Sequence, residues 1–271
     1  MKSYSRVLTI AGSDSGGGAG IQADIKAISA CGAYAASAVT AVTVQNTLGV
    51  TAVHPVPVEI IEQQIDAVLS DIGADSIKIG MLHSADVVRA VCSAIDRYKP
   101  RFVVLDPVMV STSGHRLIEE SAVAMLRDEL ISRATIVTPN IPEAEILLGR
   151  EICSAEDLKG VAQELSQRYG VSVLMKAGHL DDDILTDIFV DATPGGGGIY
   201  ELSEKRNSTV NKHGTGCTIS AAIAAFLAKG LSQYDAVSAA KEYLTAAIES
   251  GAEYEIGSGH GPVNHQFATT K

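Results

Sequence analysis

One segment of the chain combines a glycine turn with the start of a predicted helix. It reads HGTGCTISAAIAAFLAKG and spans His213–Gly230. Gly214, Thr215 and Gly216 lead directly into a run of small residues. A helix N-terminus presents backbone N–H groups that lack partners inside the helix, together with the positive end of the helix dipole. The segment therefore predicts an anion-binding site at this turn.

Cys217 falls in the first turn of that predicted helix. At such a position the pKa of a thiol is lowered from its reference value of about 8.5. A thiolate there could take a proton from an attacking hydroxyl group. A cysteine in an alanine-rich helix can also be an inert core residue. We predict the reactive role because the residue follows the glycine turn directly.

A second glycine-rich segment, Gly12–Gly20, follows the first predicted strand and contains five glycines in nine residues. It matches neither the G-x-x-x-x-G-K-[ST] phosphate loop nor the G-x-G-x-x-G dinucleotide fingerprint. It could be a simple connection between a strand and a helix. With Asp14 inside it and Asp24 just after it, we predict a turn that lets a ligand approach the backbone amides closely.

Single polar residues follow three other predicted strands. The amide of Gln45 offers an acceptor and two donors in one plane, which suits the edge of a heteroaromatic ring, although a lone glutamine is often only surface. Asp106 ends an apolar strand and could reach a metal or a phosphate-bound water, or could be a turn residue before Pro107. Lys176 ends a buried strand, where its charge is costly unless it meets a partner such as phosphate.

Asn140 and Glu143 stand three residues apart at the start of a helix predicted to begin near Ile141. This spacing is typical of a capping box, in which the two residues satisfy each other's backbone N–H groups. The same oxygens could hold Mg²⁺ through water. The spacing alone does not separate these two interpretations.

Short β-branched runs alternate with amphipathic segments along the chain. Strands are predicted over 6–12, 37–45, 76–80, 102–106, 135–140, 171–178 and 184–191, and helices over 19–31, 59–70, 86–98, 119–131, 155–169, 216–229 and 235–250. Strands that are apolar throughout are buried on both faces, which predicts a three-layer α/β/α fold with a mostly parallel central sheet. The glycine-rich stretch 193–198 is predicted to be a flexible loop. In such sheets ligands bind outside the carboxyl ends of the strands.

The composition excludes several classes of protein. The 271 residues carry 21 Lys and Arg against 32 Asp and Glu, so the net charge is −11. This balance argues against a nucleic-acid-binding protein and a polybasic membrane module. The longest apolar stretches are shorter than the ~18 residues of a membrane span. No apolar run near the N-terminus is long enough for a signal peptide. Four cysteines without a C-x-x-C pair favour reduced thiols, and we expect a soluble cytoplasmic protein without nucleic-acid or membrane partners.

The ordered motifs resemble those of the ribokinase-like superfamily, and within it the hydroxymethylpyrimidine/phosphomethylpyrimidine kinases of thiamine biosynthesis. The resemblance runs through TIAGSDSGGGAGIQADIKA, VTVQNT, IKIGMLHS, VVLDPVMVSTSG, TPNIPEAE, VLMKAGH, HGTGCTISAAIAA and GSGHGPVNH. It implies one ribokinase-like kinase domain over 1–271, a homodimer, and transfer of the γ-phosphate of ATP to a hydroxymethyl group with Mg²⁺.

The resemblance also implies roles for residues at the matching positions. The pyrimidine would contact Gly12, Asp24, Gln45, Met81 and Val108; ATP would contact Asp106, Asn140, Lys176 and Thr215; Mg²⁺ would be held, largely through water, by Asp106, Asn140 and Glu143. Gly214, Thr215 and Gly216 would form the anion hole, and Cys217 would be the catalytic base. The region 181–198 departs from the family pattern, so no role follows for it.

Three alternatives stay open on the sequence. A group of pyridoxal kinases shares the cysteine, so a pyridoxal/pyridoxine kinase is the main one. A non-catalytic sensor of the pyrimidine or a nucleotide would not need the GTGC segment, so its presence argues against a sensor. A nicotinamide-dependent dehydrogenase is disfavoured because the dinucleotide fingerprint is missing.

Overall fold

The computed structural model describes residues 3–109, 118–152, 154–178 and 183–268. Cys153, residues 110–114 of the motif after the fourth predicted strand, and residues 181–182 lie outside this part. The strands are β1 (Arg6–Asp14), β2 (Tyr34–Asn46), β3 (Gly49–Pro55), β4 (Ser76–Ile79), β5 (Val103–Leu105), β6 (Ile136–Val137), β7 (Ser172–Met175), β8 (Ile184–Asp191) and β9 (Gly198–Lys205).

The helices fall between the strands and at the end of the chain. They are α1 (Gly20–Ala30), α2 (Val58–Ala67), α3 (Ala85–Tyr98), α4 (Glu120–Met125), α5 (Ile141–Leu148), α6 (Leu158–Tyr169), α7 (Thr215–Ala228) and α8 (Gln233–Gly251). A π-helical turn, Val68–Ile72, continues α2; a π-helical turn, Leu126–Leu130, and a 3₁₀ turn, Ile131–Arg133, continue α4. A 3₁₀ turn, Ala155–Asp157, precedes α6. None of the helices in the described part has both the length and the apolar character needed to cross a membrane.

The strands form one sheet in the order β3-β2-β1-β4-β5-β6-β7-β8-β9. The neighbours from β2 to β7 are parallel, whereas β3 pairs antiparallel with β2, and β8 and β9 add antiparallel strands at the other edge. All residues of β4 and β7 are buried, as expected for strands that helices cover on both faces. The predicted mostly parallel sheet is confirmed.

The two antiparallel edge strands β3 and β9 were not predicted. In β9 half-buried residues alternate with exposed ones, because only one of its faces packs against the molecule. The predicted loop 193–198 ends where this strand begins. An edge strand with one solvated face therefore lacks the continuous apolar run that marks the central strands.

Apolar layers cover both faces of the sheet. On one face Leu8 and Ile77 pack with the buried residues of α2 to α6. On the other face Val7 and Leu174 pack with those of α1, α7 and α8. Successive strand residues point to opposite faces, so neighbours such as Val7 and Leu8 belong to different layers. The three-layer α/β/α fold is thereby confirmed.

Candidate active site

A cavity of about 560 Å³ opens at the carboxyl ends of the parallel strands. This volume lies within the range of small-molecule sites, which is roughly 300–1,000 Å³. The predicted site residues on its wall are Gly12, Gln45, Met81, Asp106, Val108, Asn140, Glu143, Lys176, Gly214, Thr215, Gly216 and Cys217. The structure therefore brings all but one of the predicted residues together.

The N-terminus of α7 forms one side of this cavity. Gly214 caps the helix with a φ of 81°, in the left-handed region that favours glycine. A Cβ there would overlap the carbonyl oxygen of Gly18, so the turn packs directly against the glycine segment after β1. The first helical bond runs from the Thr218 N–H to the Gly214 carbonyl at 2.9 Å. The N–H groups of Gly216 and Cys217 therefore precede the helical ladder and lie at the cavity wall.

An ion pair between Asp106 and Lys176 lies against this helix start. Lys176 Nζ donates to Asp106 Oδ1 at 2.9 Å, and the hydroxyl of Thr138 donates to the same oxygen at 3.1 Å. A Cβ on Gly216 would approach Lys176 Nζ to 3.3 Å and Asp106 Oδ2 to 3.4 Å. Burial by itself lowers the pKa of Lys176, but Asp106 and Glu143 raise it above its usual value. The lysine is therefore a permanent positive charge beside the helix N-terminus.

Asn140 and Glu143 form the capping box of α5. The Glu143 N–H donates to Asn140 Oδ1 at 2.9 Å, and the Asn140 N–H donates to Glu143 Oε2 at 2.9 Å. The capping interpretation is therefore confirmed. Both residues also lie on the cavity wall. Burial raises the pKa of Glu143 to about 7, the charge of Lys176 lowers it, and Asp106 adds to the rise.

The side-chain oxygens of Asp106, Asn140 and Glu143 are of the type that binds a hydrated magnesium ion. Across the described ranges, no group of three or more histidine, cysteine or acidic side chains is placed to hold a metal ion. Asp106 and Glu143 nevertheless repel each other electrostatically, and a cation would relieve this repulsion. Each carboxylate also has acceptor capacity beyond its protein hydrogen bonds. Mg²⁺ usually keeps several waters and is bound through one or two carboxylates together with substrate phosphates.

Cys217 lies in the first turn of α7, as predicted, but its pKa is shifted in the opposite direction. Burial of the thiol raises its pKa to about 11, although the Lys78 ammonium acts to lower it. The backbone N–H of Gly20 donates to this sulfur and also favours the thiolate. We therefore correct the prediction of a lowered thiol pKa: loss of water around the sulfur outweighs the helix N-terminus and the neighbouring cation.

Asp24 is the one predicted site residue that does not reach the cavity. Its side chain is fully buried, and Lys78 Nζ donates to Asp24 Oδ2 at 2.9 Å. The hydroxyl of Thr9 donates to the same oxygen at 2.6 Å. The cavity wall carries Lys78 instead. We therefore correct the predicted substrate contact of Asp24, which acts in the structure as the buried counter-ion of this lysine.

A hydrogen-bonded cluster of polar residues surrounds Gln45. His213 Nε2 lies 2.9 Å from Asp14 Oδ2 and 3.2 Å from the Gln45 amide. The hydroxyl of Thr43 lies 3.1 Å from the other end of that amide. Sequence reasoning noted Asp14 but did not assign His213 a role. The available signal was its position directly before the GTGC segment.

Sequence reasoning also missed a group of basic residues on the cavity wall. They end or follow β9, precede α7 or lie on α8: Lys205, Arg206, Lys212 and Lys241. Lys241 Nζ donates to Asp187 Oδ2 at 2.6 Å. Because β9 was not predicted, nothing in the sequence placed Lys205 and Arg206 at this edge of the sheet. With Lys78 and Lys176 they make six basic side chains on the described part of the wall, which balance its six carboxylates, whereas the chain as a whole is acidic.

Comparison with known proteins gives consistent results. A family model described as phosphomethylpyrimidine kinase matches residues 14–264. A hydroxymethylpyrimidine/phosphomethylpyrimidine kinase of Rhizobium meliloti (strain 1021) is 51% identical over 259 residues, which cover 95% of this chain and 96% of that protein.

Two solved structures extend the comparison to the fold. A phosphomethylpyrimidine kinase from Clostridium difficile 630 is 43% identical, with a TM-score of 0.77 over 90% of this chain and 99% of that chain. An ADP complex of Bacillus subtilis pyridoxal kinase is 33% identical, with a TM-score of 0.89 over 99% of this chain and 100% of that chain. The fold is therefore shared by kinases that are named for two different acceptors, phosphomethylpyrimidine and pyridoxal.

Proposed function

The chain belongs to the phosphomethylpyrimidine kinase family, and on this basis we propose that it phosphorylates 4-amino-5-hydroxymethyl-2-methylpyrimidine and then the resulting monophosphate. ATP is the phosphate donor, and the diphosphate is the final product, used in thiamine biosynthesis. The observation that carries the proposal is the meeting of three features in one cavity: the N-terminus of α7, the Asp106–Lys176 ion pair, and the pocket at Gln45.

Phosphoryl transfer depends mainly on positioning the reactants and on stabilising the charge that spreads over the transferred group. The N–H groups at Gly216 and Cys217 and the ammonium of Lys176 supply fixed positive charge for the γ-phosphate. Asn140, Asp106 and Thr215 contact other parts of ATP. Losing one such preorganised contact typically lowers the rate by about 10²–10³.

Mg²⁺ would be held by Asp106, Asn140 and Glu143, largely through water. When bound, it neutralises phosphate oxygens of ATP. Burial raises the pKa of Glu143 and the neighbouring Asp106 adds to the rise, so a bound cation would favour the ionised carboxylate.

Cys217 is positioned to accept the proton of the acceptor hydroxyl. The hydroxymethyl oxygen bonds to the γ-phosphorus, the bond from phosphorus to ADP breaks, and the hydroxyl proton passes to the sulfur. Because burial raises the pKa of the thiol to about 11, the thiolate is a strong base but is scarce in the ligand-free protein at pH 7. Lys78 favours the thiolate, as would a bound cation.

Gly12, Gln45, Met81 and Val108, which all line the cavity, are assigned to the ring of the acceptor in this proposal. The Met81 Sδ lies close to the backbone of Gly12, where a Cβ would approach it to 3.1 Å. A glycine at this point therefore lets the Met81 side chain pack against the first strand.

Pyridoxal is the alternative acceptor, because the high structural similarity to a pyridoxal kinase supports it. The sequence identities favour the pyrimidine: the pyrimidine kinases above are 51% and 43% identical to this chain, whereas the pyridoxal kinase is 33% identical. Because the same fold occurs with either acceptor, the specificity for one of them must come from the residues assigned to the ring.

An ADP-release assay tests the proposal. The enzyme is incubated with ATP and Mg²⁺ and, in parallel, with the hydroxymethylpyrimidine, its monophosphate or pyridoxal. We expect ADP formation with both pyrimidines and at most weak formation with pyridoxal, and we expect Lys176→Met to reduce all activity. A strong preference for pyridoxal would replace the proposed acceptor, and no ADP with any ring acceptor would indicate a sensor.

We also propose that the chain acts as one kinase domain, in the cytoplasm, as a homodimer. All described strands belong to one sheet, which supports a single domain. Val42 and Val44 on β2 and Leu48 in the turn after it expose apolar side chains, which supports association with a second copy.

A further inference from the structure

The cluster around Gln45 contains a donor and acceptor pattern that fixes the orientation of its amide. His213 Nε2 lies between Asp14 Oδ2, at 2.9 Å, and the Gln45 amide, at 3.2 Å. Thr43 Oγ1 lies 3.1 Å from the other end of the amide. The protonation of Asp14 and His213 decides which end of the amide faces which neighbour.

Asp14 must be an ionised acceptor. Its carboxylate accepts the backbone N–H groups of Gly16 at 2.7 Å, Gly18 at 3.0 Å and Ala19 at 2.8 Å. Although burial alone would raise its pKa, the bond from His213 and these backbone donors hold the pKa of Asp14 below its usual value. A carboxylate has no hydrogen to donate, so His213 Nε2 must carry the hydrogen that binds Asp14 Oδ2.

The position of this proton determines the orientation of the Gln45 side-chain amide. The N–H of His213 Nε2 repels an amide N–H group and attracts an amide oxygen. The two ends of a glutamine amide are exchanged by a half-turn of the side chain, so the hydrogen-bond network determines which end faces which neighbour. As placed in the structure, the amide has its nitrogen 3.2 Å from His213 Nε2 and its oxygen 3.1 Å from Thr43 Oγ1, which sets two N–H donors against each other. Exchanging the two ends brings the oxygen to His213 and the nitrogen to Thr43, and this is the orientation that the hydrogen on His213 requires. The Thr43 hydroxyl donates to the Ser13 carbonyl at 2.9 Å, which leaves its lone pairs to accept from the amide.

We propose that the Asp14–His213 pair locks the Gln45 amide in this orientation, and that the locked amide selects the acceptor by the order of donor and acceptor on its ring edge. The inference rests on the proposed function and concerns the same pocket. In the proposed substrate an amino donor stands beside a ring-nitrogen acceptor. An amide oxygen and N–H pair with such an edge, as glutamine does with adenine, and such a bidentate pair discriminates against the wrong edge by roughly 10-fold to 100-fold.

The 4-oxo analogue of the substrate tests whether the order of donor and acceptor on the ring edge matters. 5-Hydroxymethyl-2-methylpyrimidin-4(3H)-one has the same shape and the same hydroxymethyl arm, but presents an acceptor oxygen beside a ring N–H donor. It therefore requires the amide turned by 180°, which His213 opposes. Wild-type enzyme is expected to favour the 4-amino over the 4-oxo compound in kcat/KM by roughly 10-fold to 100-fold.

His213→Ala removes the lock, and its predicted signature is a gain of activity. The freed amide can turn, so kcat/KM for the 4-oxo analogue rises and the preference for the 4-amino compound falls at least about fivefold. The effect appears mainly in the KM of the acceptor, because His213 acts on binding through Gln45. General damage to the fold lowers activity with both compounds and does not raise it with one. His54→Ala, an exposed histidine on β3, is the matched control and should keep the wild-type preference.

Gln45→Glu provides a second variant whose outcome does not depend on how His213→Ala folds. The two carboxylate oxygens are equivalent, so the order of donor and acceptor has no effect, and the preference should approach one. Unchanged preference in His213→Ala, or no preference in the wild-type enzyme, would overturn the proposed lock while leaving the kinase function intact. Failure of the wild-type enzyme to phosphorylate the 4-amino compound would instead overturn the proposed function.

Discussion

Gly216 brings the backbone of α7 against the Asp106–Lys176 ion pair, so its missing side chain has a direct chemical consequence. A Cβ would approach both charged groups to within 3.4 Å. Any larger side chain would displace the ammonium from the helix N-terminus. A methyl group would require a shift of a few tenths of an ångström, and a bulkier side chain would require more.

We predict that Gly216→Val lowers kcat by at least about 10²-fold, because a branched side chain separates the ion pair from the phosphate site. The melting temperature should change little, since the residue lies at the cavity wall. Gly160→Val is the matched control, because a Cβ at Gly160 meets no neighbouring atom. Near-normal turnover in Gly216→Val would contradict the assigned phosphate site.

Two residues, Cys217 and Asp24, show how much of the site could be predicted from the sequence. The glycine turn and Cys217 were located correctly because their types and spacing have a direct physical meaning. The resemblance to the family implied a substrate contact for Asp24, but its partner Lys78 is 54 residues away in the chain. Asp24 lies on α1 and Lys78 on β4, and an ion pair between elements so far apart in the chain leaves no local pattern in the sequence. The sign of the Cys217 pKa shift likewise depends on burial, which the spacing does not specify.

The pH dependence of alkylation reports the state of Cys217. Because burial raises its pKa to about 11, the thiol is protonated at neutral pH in the ligand-free enzyme. The rate of its reaction with iodoacetamide should therefore rise about tenfold per pH unit from pH 7 to 10. Mass spectrometry of the Cys217 peptide separates it from the other thiols. A plateau near pH 7 would contradict the high pKa.

At the scale of the elements, α5 joins structure and chemistry in one pair of residues. The capping box of Asn140 and Glu143 holds the start of α5 and places both oxygens on the cavity wall. The central strands were predictable because burial on both faces makes them apolar throughout. The edge strands β3 and β9 were not, because the solvated face of an edge strand interrupts that pattern.

Substitutions at Asn140 separate capping from catalysis. Asn140→Ala should destabilise the protein by about 1 kcal/mol, because the α5 cap is lost, and should also lower turnover. Asn140→Ser should restore the stability, since serine caps equally well, but not the turnover, because its side chain is shorter. Thermal unfolding and steady-state kinetics measure the two effects. Full turnover in Asn140→Ser would show that the residue only caps the helix.

At the scale of the molecule, the net charge of −11 and an anionic nucleotide substrate act against each other. We propose that the attraction is local, from the N-terminus of α7 and from Lys176, while the basic residues of the cavity wall offset its carboxylates. The acidic composition argues against nucleic-acid partners but does not predict this clustering, because β9 and α8 bring distant lysines to one edge of the sheet.

The exposed apolar residues at β2 lead to a prediction about assembly. Light scattering should give twice the mass of one chain. Val44→Asp should shift the protein towards monomer, because it places a charge among apolar side chains that a second copy would cover; Val44 is 57% exposed in the single chain. A monomeric mass for the wild-type protein would contradict the proposed homodimer.

The proposed function requires one cavity to phosphorylate the same pyrimidine twice. Its most direct test is to follow the products of 4-amino-5-hydroxymethyl-2-methylpyrimidine with ATP and Mg²⁺ by ³¹P NMR and mass spectrometry. The account predicts the monophosphate first and then the diphosphate, with one ADP released at each step and neither product formed by Lys176→Met. Phosphate transfer to pyridoxal alone, or ATP hydrolysis without a phosphorylated pyrimidine, would contradict it.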